Sequence, residues 1–296
     1  MQIAPVALFA YNRLNHLQRT VAALQANTLA EESDLFIFSD GPKGANDETE
    51  VDRVRQYIRQ IIGFKSVTIH DQQVNKGLAD SIISGVSKIF SKYDKVIVLE
   101  DDLVTAPLFL KYMNSALTAY EHTDSIFLIS GYSPKISTPW FFKDDVYLTQ
   151  RSSSWGWGTW KAEWNQVVWD NSYYARYVAD ENIMTRFAEY GGSDRPAMLK
   201  KQVSGELDSW AIRRAFTQFM LNKYTLYPKQ TLIRNIGFDG TGVHCGDNAN
   251  FDNHNYLAES LPVLPQQPKA SSTIDKEYAI TIHIIQIATM RSVNAC

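Results

Sequence analysis

The sequence predicts an α/β protein built on a mostly parallel β-sheet flanked by helices, with an aromatic-rich second half. Three observations point there. Five short apolar runs recur in the first 130 residues, and each ends on polar or turn-forming residues. Between the runs, apolar side chains return at helical spacing, the alternation of a doubly covered parallel sheet. After Gly131 the texture changes: all seven tryptophans (140, 155, 157, 160, 164, 169 and 210) fall between Trp140 and Trp210.

The elements follow in order. Ile3–Ala10 is the first strand run, stopping at Tyr11-Asn12-Arg13, and Leu14, Leu17, Val21 and Leu24 then mark one face of a helix. Asp34–Ser39 is a second strand ending at Asp40-Gly41-Pro42, a turn signal. Val51, Val54, Ile58 and Ile61 share the next helix face. Ser66–His70 is the third strand, followed by the turn Asn75-Lys76-Gly77 and a helix over Leu78–Phe90. Lys95–Leu99 is the fourth and runs straight into Glu100-Asp101-Asp102. Pro107 opens a helix reaching Tyr120, and Ile126–Ser130 is the fifth strand. Helical patterns return over Glu181–Tyr190 and Trp210–Asn222. The Gly-rich stretch Gly237–Gly246 reads as a mobile lid, the Pro-containing segment Leu261–Lys276 as a linker, and Glu277–Arg291 as helix or strand. The expected organisation is a sheet half with a ligand-binding edge over residues 1–131, an aromatic-rich half of the same domain over 132–260, and a linker and C-terminal segment over 261–296.

Right-handed crossovers put the ends of parallel strands on one sheet edge, where open α/β sheets bind ligands. Asn12, Arg13, Asp40, Asn75, Lys76 and the Glu100–Asp102 triplet therefore converge. Three adjacent carboxylates repel one another unless a cation or a donor cluster offsets them. Hard divalent cations such as Mn²⁺ or Mg²⁺, bound through carboxylates and substrate phosphates, meet that need; an acidic cap on the following helix is the plainer reading. Asp40 is a turn residue or an acceptor for a base N–H or ribose hydroxyl, and Arg13 a surface charge or a phosphate partner. Trp155 and Trp157, beside Gly156 and Gly158, serve packing or a stacking surface for a sugar. Asp208, before the helix at Trp210, is its N-cap or a general base.

Composition narrows the function classes. The 296 residues are 45% hydrophobic and 21% charged, enough apolar material for a large core. A net charge of −3 without basic runs disfavours nucleic acid. Cys245 and Cys296 are far apart and not at metal spacing, as in a cytoplasmic protein with reduced thiols. The residues from Met1 to Ala10 lack a basic leader and read as a strand, and no apolar run approaches ~20 residues, so neither signal peptide nor spanning helix is expected.

The run Val96–Phe109 around Glu100-Asp101-Asp102 resembles the core of Golgi N-acetylglucosaminyltransferase I and its bacterial relatives. The resemblance continues in order through Tyr11-Asn12-Arg13, Ser39-Asp40, Ser154–Trp157, Leu207–Trp210 and Gly242–Cys245. It implies a GT-A fold and an inverting glycosyltransferase taking N-acetylglucosamine from a UDP-sugar. Asp102 would bind Mn²⁺ (or Mg²⁺) directly, with Glu100 and Asp101 at the nucleotide and donor sugar. Arg13 and Asp40 would sit at the nucleotide, and Lys76 and His244 are counted with the donor-binding set. Trp155, Trp157 and Trp210 are counted as acceptor-binding. The family's base directly precedes the tryptophan, where this chain has Ser209, so the role is carried to Asp208. The Golgi enzyme's anchor and stem have no counterpart here, which suits a bacterial cytoplasmic enzyme of surface polysaccharide synthesis. Its acceptor would be a glycan or lipid-linked glycan, and peripheral membrane contact through Ile280, Ile284 and Ile287 is one expectation for the tail, a docked helix the other.

Two other classes fit parts of the pattern. A sugar nucleotidyltransferase would carry a Gly-rich loop after the first strand, and Tyr11–Leu17 has no glycine. A non-catalytic glycan-binding protein would use the tryptophans but has no need of an acidic triplet at a strand end.

Overall fold

The computed structural model describes residues 2–136, 140, 142–238, 257–270, 273–275 and 277–278. Asp239, His244, most of the Gly-rich stretch, Cys245, Cys296 and the isoleucines of the tail lie outside them.

The first half alternates as expected: β1 (Val6–Ala10), α1 (Leu14–Gln25), β2 (Asp34–Ser39), α2 (Ala45–Ile58), β3 (Ser66–Asp71), α3 (Gly77–Ile89) and β4 (Lys95–Glu100). A short β5 (Leu103–Thr105) precedes α4 (Phe109–Ala119) and β6 (Ile126–Ser130). The second half holds β7 (Val146–Thr149), β8 (Trp157–Trp160), the short helices α5 (Lys161–Trp164) and α6 (Ser172–Val178), then α7 (Glu181–Gly191), α8 (Arg195–Ser204), α9 (Trp210–Met220), β9 (Tyr224–Pro228) and β10 (Ile233–Asn235).

Eight strands form one sheet in the order β3-β2-β1-β4-β8-β6-β9-β7, with helices against it. The block β3-β2-β1-β4 is parallel, because each link passes through a helix and the strands are Val/Ile/Leu/Phe-rich. All five residues of β1 are buried, Val6, Leu8 and Phe9 each contributing about 1.5–3 kcal/mol. The fifth expected strand does not pair with the fourth. The antiparallel β8 stands between β4 and β6, so β6 still runs in the sense of β4 and ends on the same edge. Gly158 permits this insertion: a Cβ there would press on the Val96 carbonyl and on Met113 and Leu117. The outer strands are β9, parallel to β6, and β7, antiparallel to β9.

A second, two-stranded sheet pairs β5 with β10 antiparallel, matching Leu103 to Asn235. This small ribbon folds chain from beyond residue 230 back over the acidic triplet. The stretch read as a linker packs on the body instead. Leu261 and Leu264 join the main core, Tyr120 Oη donates to the Pro265 carbonyl at 2.7 Å, and Ile274 is fully buried. Among the described residues no helix is long and apolar enough to cross a membrane.

Candidate active site

The carboxylates at the end of β4 meet the chain leaving β1, because the two strands are parallel neighbours in register, Phe9 beside Glu100. Arg13, one residue before α1, directs Nη2 to Asp101 Oδ1 at 2.5 Å and to Asp102 Oδ2 at 2.8 Å. Thr20 Oγ1 donates to the Asp101 carbonyl at 2.8 Å and the Tyr11 N–H reaches Asp101 Oδ2 at 3.4 Å. Asp101 is 4% exposed and Asp102 8%, so one guanidinium faces three crowded acids largely withdrawn from water. Burial, reinforced by Asp102 and Asp101, pushes the Glu100 carboxyl up to about 8. Burial and Asp102 push Asp101 up to about 6 against the pull of Arg13. Burial alone would depress Arg13, but Asp101 and Asp102 reverse that and hold it firmly protonated.

The ribbon closes one side of this cluster. The Ile236 N–H donates to the Asp102 carbonyl at 2.9 Å, and Gly237 lies so close that a Cβ there would overlap Asp102 Oδ2 and crowd Arg13. Gly237 is thus a site residue that the sequence reading placed only in a lid. Its signal was a glycine following the three-residue strand β10, which is too short to recognise by periodicity.

Asp40 sits at the end of β2 and is 8% exposed. Its carboxylate accepts from the N–H groups of Gly41 (2.8 Å), Lys76 (2.9 Å) and Gly77 (3.0 Å) and from Asn75 Nδ2 (3.1 Å). Those four donors fill its roughly four lone-pair positions. Asp40 therefore ties the end of β2 to the start of α3, and the expected acceptor for a base or ribose finds no vacant position on it. Lys76 contributes its backbone to this knot and leaves its side chain in solvent.

The tryptophans divide. Trp157 is wholly buried and Trp210 is 3% exposed. They stack on each other at 5.1 Å, with the Arg214 guanidinium 4.4 and 4.6 Å from their ring centroids. Neither presents a face to a ligand, which corrects the expectation that both form an acceptor platform. Trp155 is half-buried and packs edge-on to Tyr132 at 4.5 Å and to Phe238, the residue after Gly237, at 5.5 Å. Gly156, at φ 58, explains the split: a left-handed residue breaks the extended run in which Trp155 and Trp157 would share a face.

At α9 the N-cap is Ser209, whose Oγ accepts from the Ile212 N–H at 3.3 Å, so Asp208 is not the cap. The Asp208 carboxylate is 64% exposed and pairs with the largely buried Arg213 at 3.1 Å. Glu206, also exposed, accepts from Ser204 Oγ at 2.8 Å.

The residues around Asp102 suit a hard divalent cation: oxygen donors at a strand end, three acids against one guanidinium, and a glycine in place of a crowding side chain. No group of three His, Cys, Asp or Glu side chains poised for a metal occurs among the described residues. Such a cation would complete its shell from substrate phosphates.

No family model matches the chain. By sequence it is similar to the alpha-1,3-mannosyl-glycoprotein 2-beta-N-acetylglucosaminyltransferase of Arabidopsis thaliana, 25% identical over 218 residues. That alignment covers 65% of this chain and 49% of the plant protein, so the chain spans about half the length of this curated relative. The match agrees with the resemblance read from the motifs. Among solved structures, S. aureus TarS is similar with a TM-score of 0.43 at 9% identity, over 77% of this chain and 36% of TarS. The mannosyltransferase PcManGT from Pyrobaculum calidifontis, in complex with GDP-Man and Mn²⁺, gives 0.34 at 9% identity, over 53% of this chain and 44% of its own.

Proposed function

We propose that the chain is an inverting glycosyltransferase that moves a sugar, N-acetylglucosamine by preference, from a UDP-sugar to a glycan hydroxyl. The observation that carries this reading is the buried acidic set Asp101–Asp102, paired to Arg13 and walled by Gly237 at the strand-end edge. With a divalent cation bound between them, acids so placed can hold a nucleotide diphosphate, a need that a neutral glycan alone does not have. The sequence similarity to an N-acetylglucosaminyltransferase supports the sugar and suggests a mannose-ended acceptor.

Arg13 is placed to offer its cation to the donor diphosphate, and Asp40 shapes the nucleotide pocket by fixing the turn at Asn75–Gly77. Asp102, with Asp101, would hold a divalent cation of the Mn²⁺ or Mg²⁺ type, which when bound offsets charge on the leaving diphosphate. Trp155 would stack against the acceptor sugar. Asp208 takes the proton of the acceptor hydroxyl as that oxygen attacks the anomeric carbon. The bond to the diphosphate oxygen breaks on the opposite side, so one displacement inverts the configuration. A nucleotidyltransferase is the weaker reading, because β1 leads to Tyr11-Asn12-Arg13 without a glycine loop for a triphosphate. The biological setting that follows is bacterial surface polysaccharide synthesis at the cytoplasmic face of a membrane, with a lipid-linked acceptor.

The test is a melting-temperature panel of UDP-GlcNAc, UDP-glucose and GDP-mannose with Mn²⁺ or chelator, followed by inverting transfer from the stabilising donor to p-nitrophenyl α-mannoside. Ligand bound to the native state raises apparent stability. A rise with a nucleotide sugar that needs Mn²⁺ is expected. The same melting temperature throughout, or stabilisation by mannoside alone, would overturn the reading.

A further inference from the structure

Between the end of β7 at Thr149 and the start of β8 at Trp157 the chain crosses the protein without a strand partner. Backbone carbonyls on such a crossing need donors, since an unpaired polar group out of water is costly. Four consecutive carbonyls receive one side chain each. Gln218 Nε2 donates to Gln150 at 2.9 Å, Tyr227 Oη to Arg151 at 2.8 Å, Arg195 Nη2 to Ser152 at 2.9 Å and Arg214 Nη2 to Ser153 at 2.7 Å. The donors come from α9, β9 and α8, so three elements grip one short segment. Two residues further on stands Trp155, between Tyr132 and Phe238.

The choice of donors is expensive. Arg195 and Arg214 are 6% and 1% exposed. The carboxylate beside them, Asp194, is engaged by both terminal nitrogens of Arg151, at 2.8 and 3.0 Å. Nε of Arg195, and Nε and Nη1 of Arg214, have no hydrogen-bond partner among the described residues. Burial without a carboxylate facing it pulls the Arg214 guanidinium down to about 9. Neutral donors would satisfy the carbonyls at lower cost, but charged donors bind a carbonyl roughly twice as strongly and so hold it more rigidly. Stability given up for rigidity is expected where a functional group must be placed accurately.

We propose that Gln218, Tyr227, Arg195 and Arg214 form a backbone clamp whose role is to position Trp155 for the acceptor sugar, with Arg195 and Tyr227 setting acceptor affinity as positioning residues. This rests on the glycosyltransferase reading for the identity of the ligand, but the mechanical link from clamp to Trp155 stands apart from it. The clamp acts on the acceptor side alone, because none of its members touches Arg13, Asp101 or Asp102 in the contacts described above.

Two readouts test it. The first is ¹⁹F NMR of protein labelled with 5-fluorotryptophan, the Trp155 signal being assigned by Trp155→Phe. Tyr227→Phe, which removes one hydroxyl, and Arg195→Lys, which keeps the charge and loses the fork, should each shift or broaden the Trp155 signal. Val54→Ala, a core deletion in α2, should not. The second is steady-state kinetics with p-nitrophenyl α-mannoside as acceptor. Both clamp variants should raise its KM by on the order of threefold to tenfold while leaving the nucleotide-sugar KM unchanged. A Trp155 signal that stays put in both variants overturns the clamp whether or not the protein is a transferase. A moved signal with the mannoside KM unchanged, or donor and acceptor KM rising together, overturns its role in acceptor affinity. Failure of the nucleotide-sugar panel above, with the Trp155 signal still moving, would remove the transferase reading and leave the mechanical link in place.

Discussion

The proposed donor and acceptor sides of the site are built from opposite chemistry. On the donor side, acids at the ends of parallel strands are held by main-chain N–H groups, one side-chain amide and one arginine, as Asp40 and Asp101 show. On the acceptor side, two arginines and a glutamine from helices and a tyrosine from β9 hold main-chain carbonyls, as at Gln150–Ser153. The donor side fixes its charged side chains with the backbone; the acceptor side fixes its backbone with charged side chains. Changes on the donor side should therefore alter binding of charge and metal, and those on the acceptor side should alter placement.

The largest effect expected is at Asp102. Asp102→Asn should abolish transfer and Mn²⁺-dependent nucleotide binding and leave a folded protein by circular dichroism. Wild-type turnover in chelator would break the donor half of the comparison. Next comes Asp208→Asn, expected to lower kcat by ~10²–10⁴ with nucleotide affinity unchanged, since the loss lies in the chemical step. Survival of kcat would move the base to one of the two competing carboxylates, Glu206 or Asp239. The third test sets Trp157→Ala against Trp155→Ala. Loss of the buried Trp157 ring should cost ~3–5 kcal/mol in denaturant unfolding. Trp155→Ala should cost much less and raise acceptor KM instead; equal destabilisation would make Trp155 a packing residue.

The last test is a pH slope. The carboxyl of Glu100 titrates near 8 in the folded chain against 4.5 when unfolded, so the native state binds the proton more tightly. Its stabilising contribution is complete below pH 4.5 and is lost as pH rises through about 8. In chelator, the melting temperature of the wild type should fall across that window relative to Glu100→Gln. Parallel curves for the two proteins would show that Glu100 is not under strain.

Much of the donor side was legible from sequence because its signals are local. An apolar run followed by Asp or Glu announces both a strand and the acid at its end, as at Lys95–Asp102. The meeting of Arg13 with the triplet followed from the crossover rule; what could not be read was that one guanidinium nitrogen would tie to Asp101 and Asp102 together, across 88 and 89 positions. Asp40 looked like a nucleotide contact because three of its four internal donors come from a turn further along the chain. The acceptor side hid itself differently. Trp157-Gly158-Thr159-Trp160 is a strand whose identity comes from fitting between β4 and β6, and four residues rich in tryptophan carry no strand periodicity. Gly156 separates two tryptophans by a backbone turn that no pattern of side chains records.

The position of β8 has a consequence for cutting the chain. Residues 1–131 contain every acid of the donor side, and expressing that fragment as a minimal nucleotide binder is an obvious experiment. Yet β8 is the shared neighbour of β4 and β6, so the fragment would carry two raw sheet edges, each apolar and each open to pairing with another copy. It would also lose Ile236 and Gly237, the wall against Asp102. The two halves are interleaved like shuffled cards, and a fragment ending at residue 131 should aggregate before it binds anything.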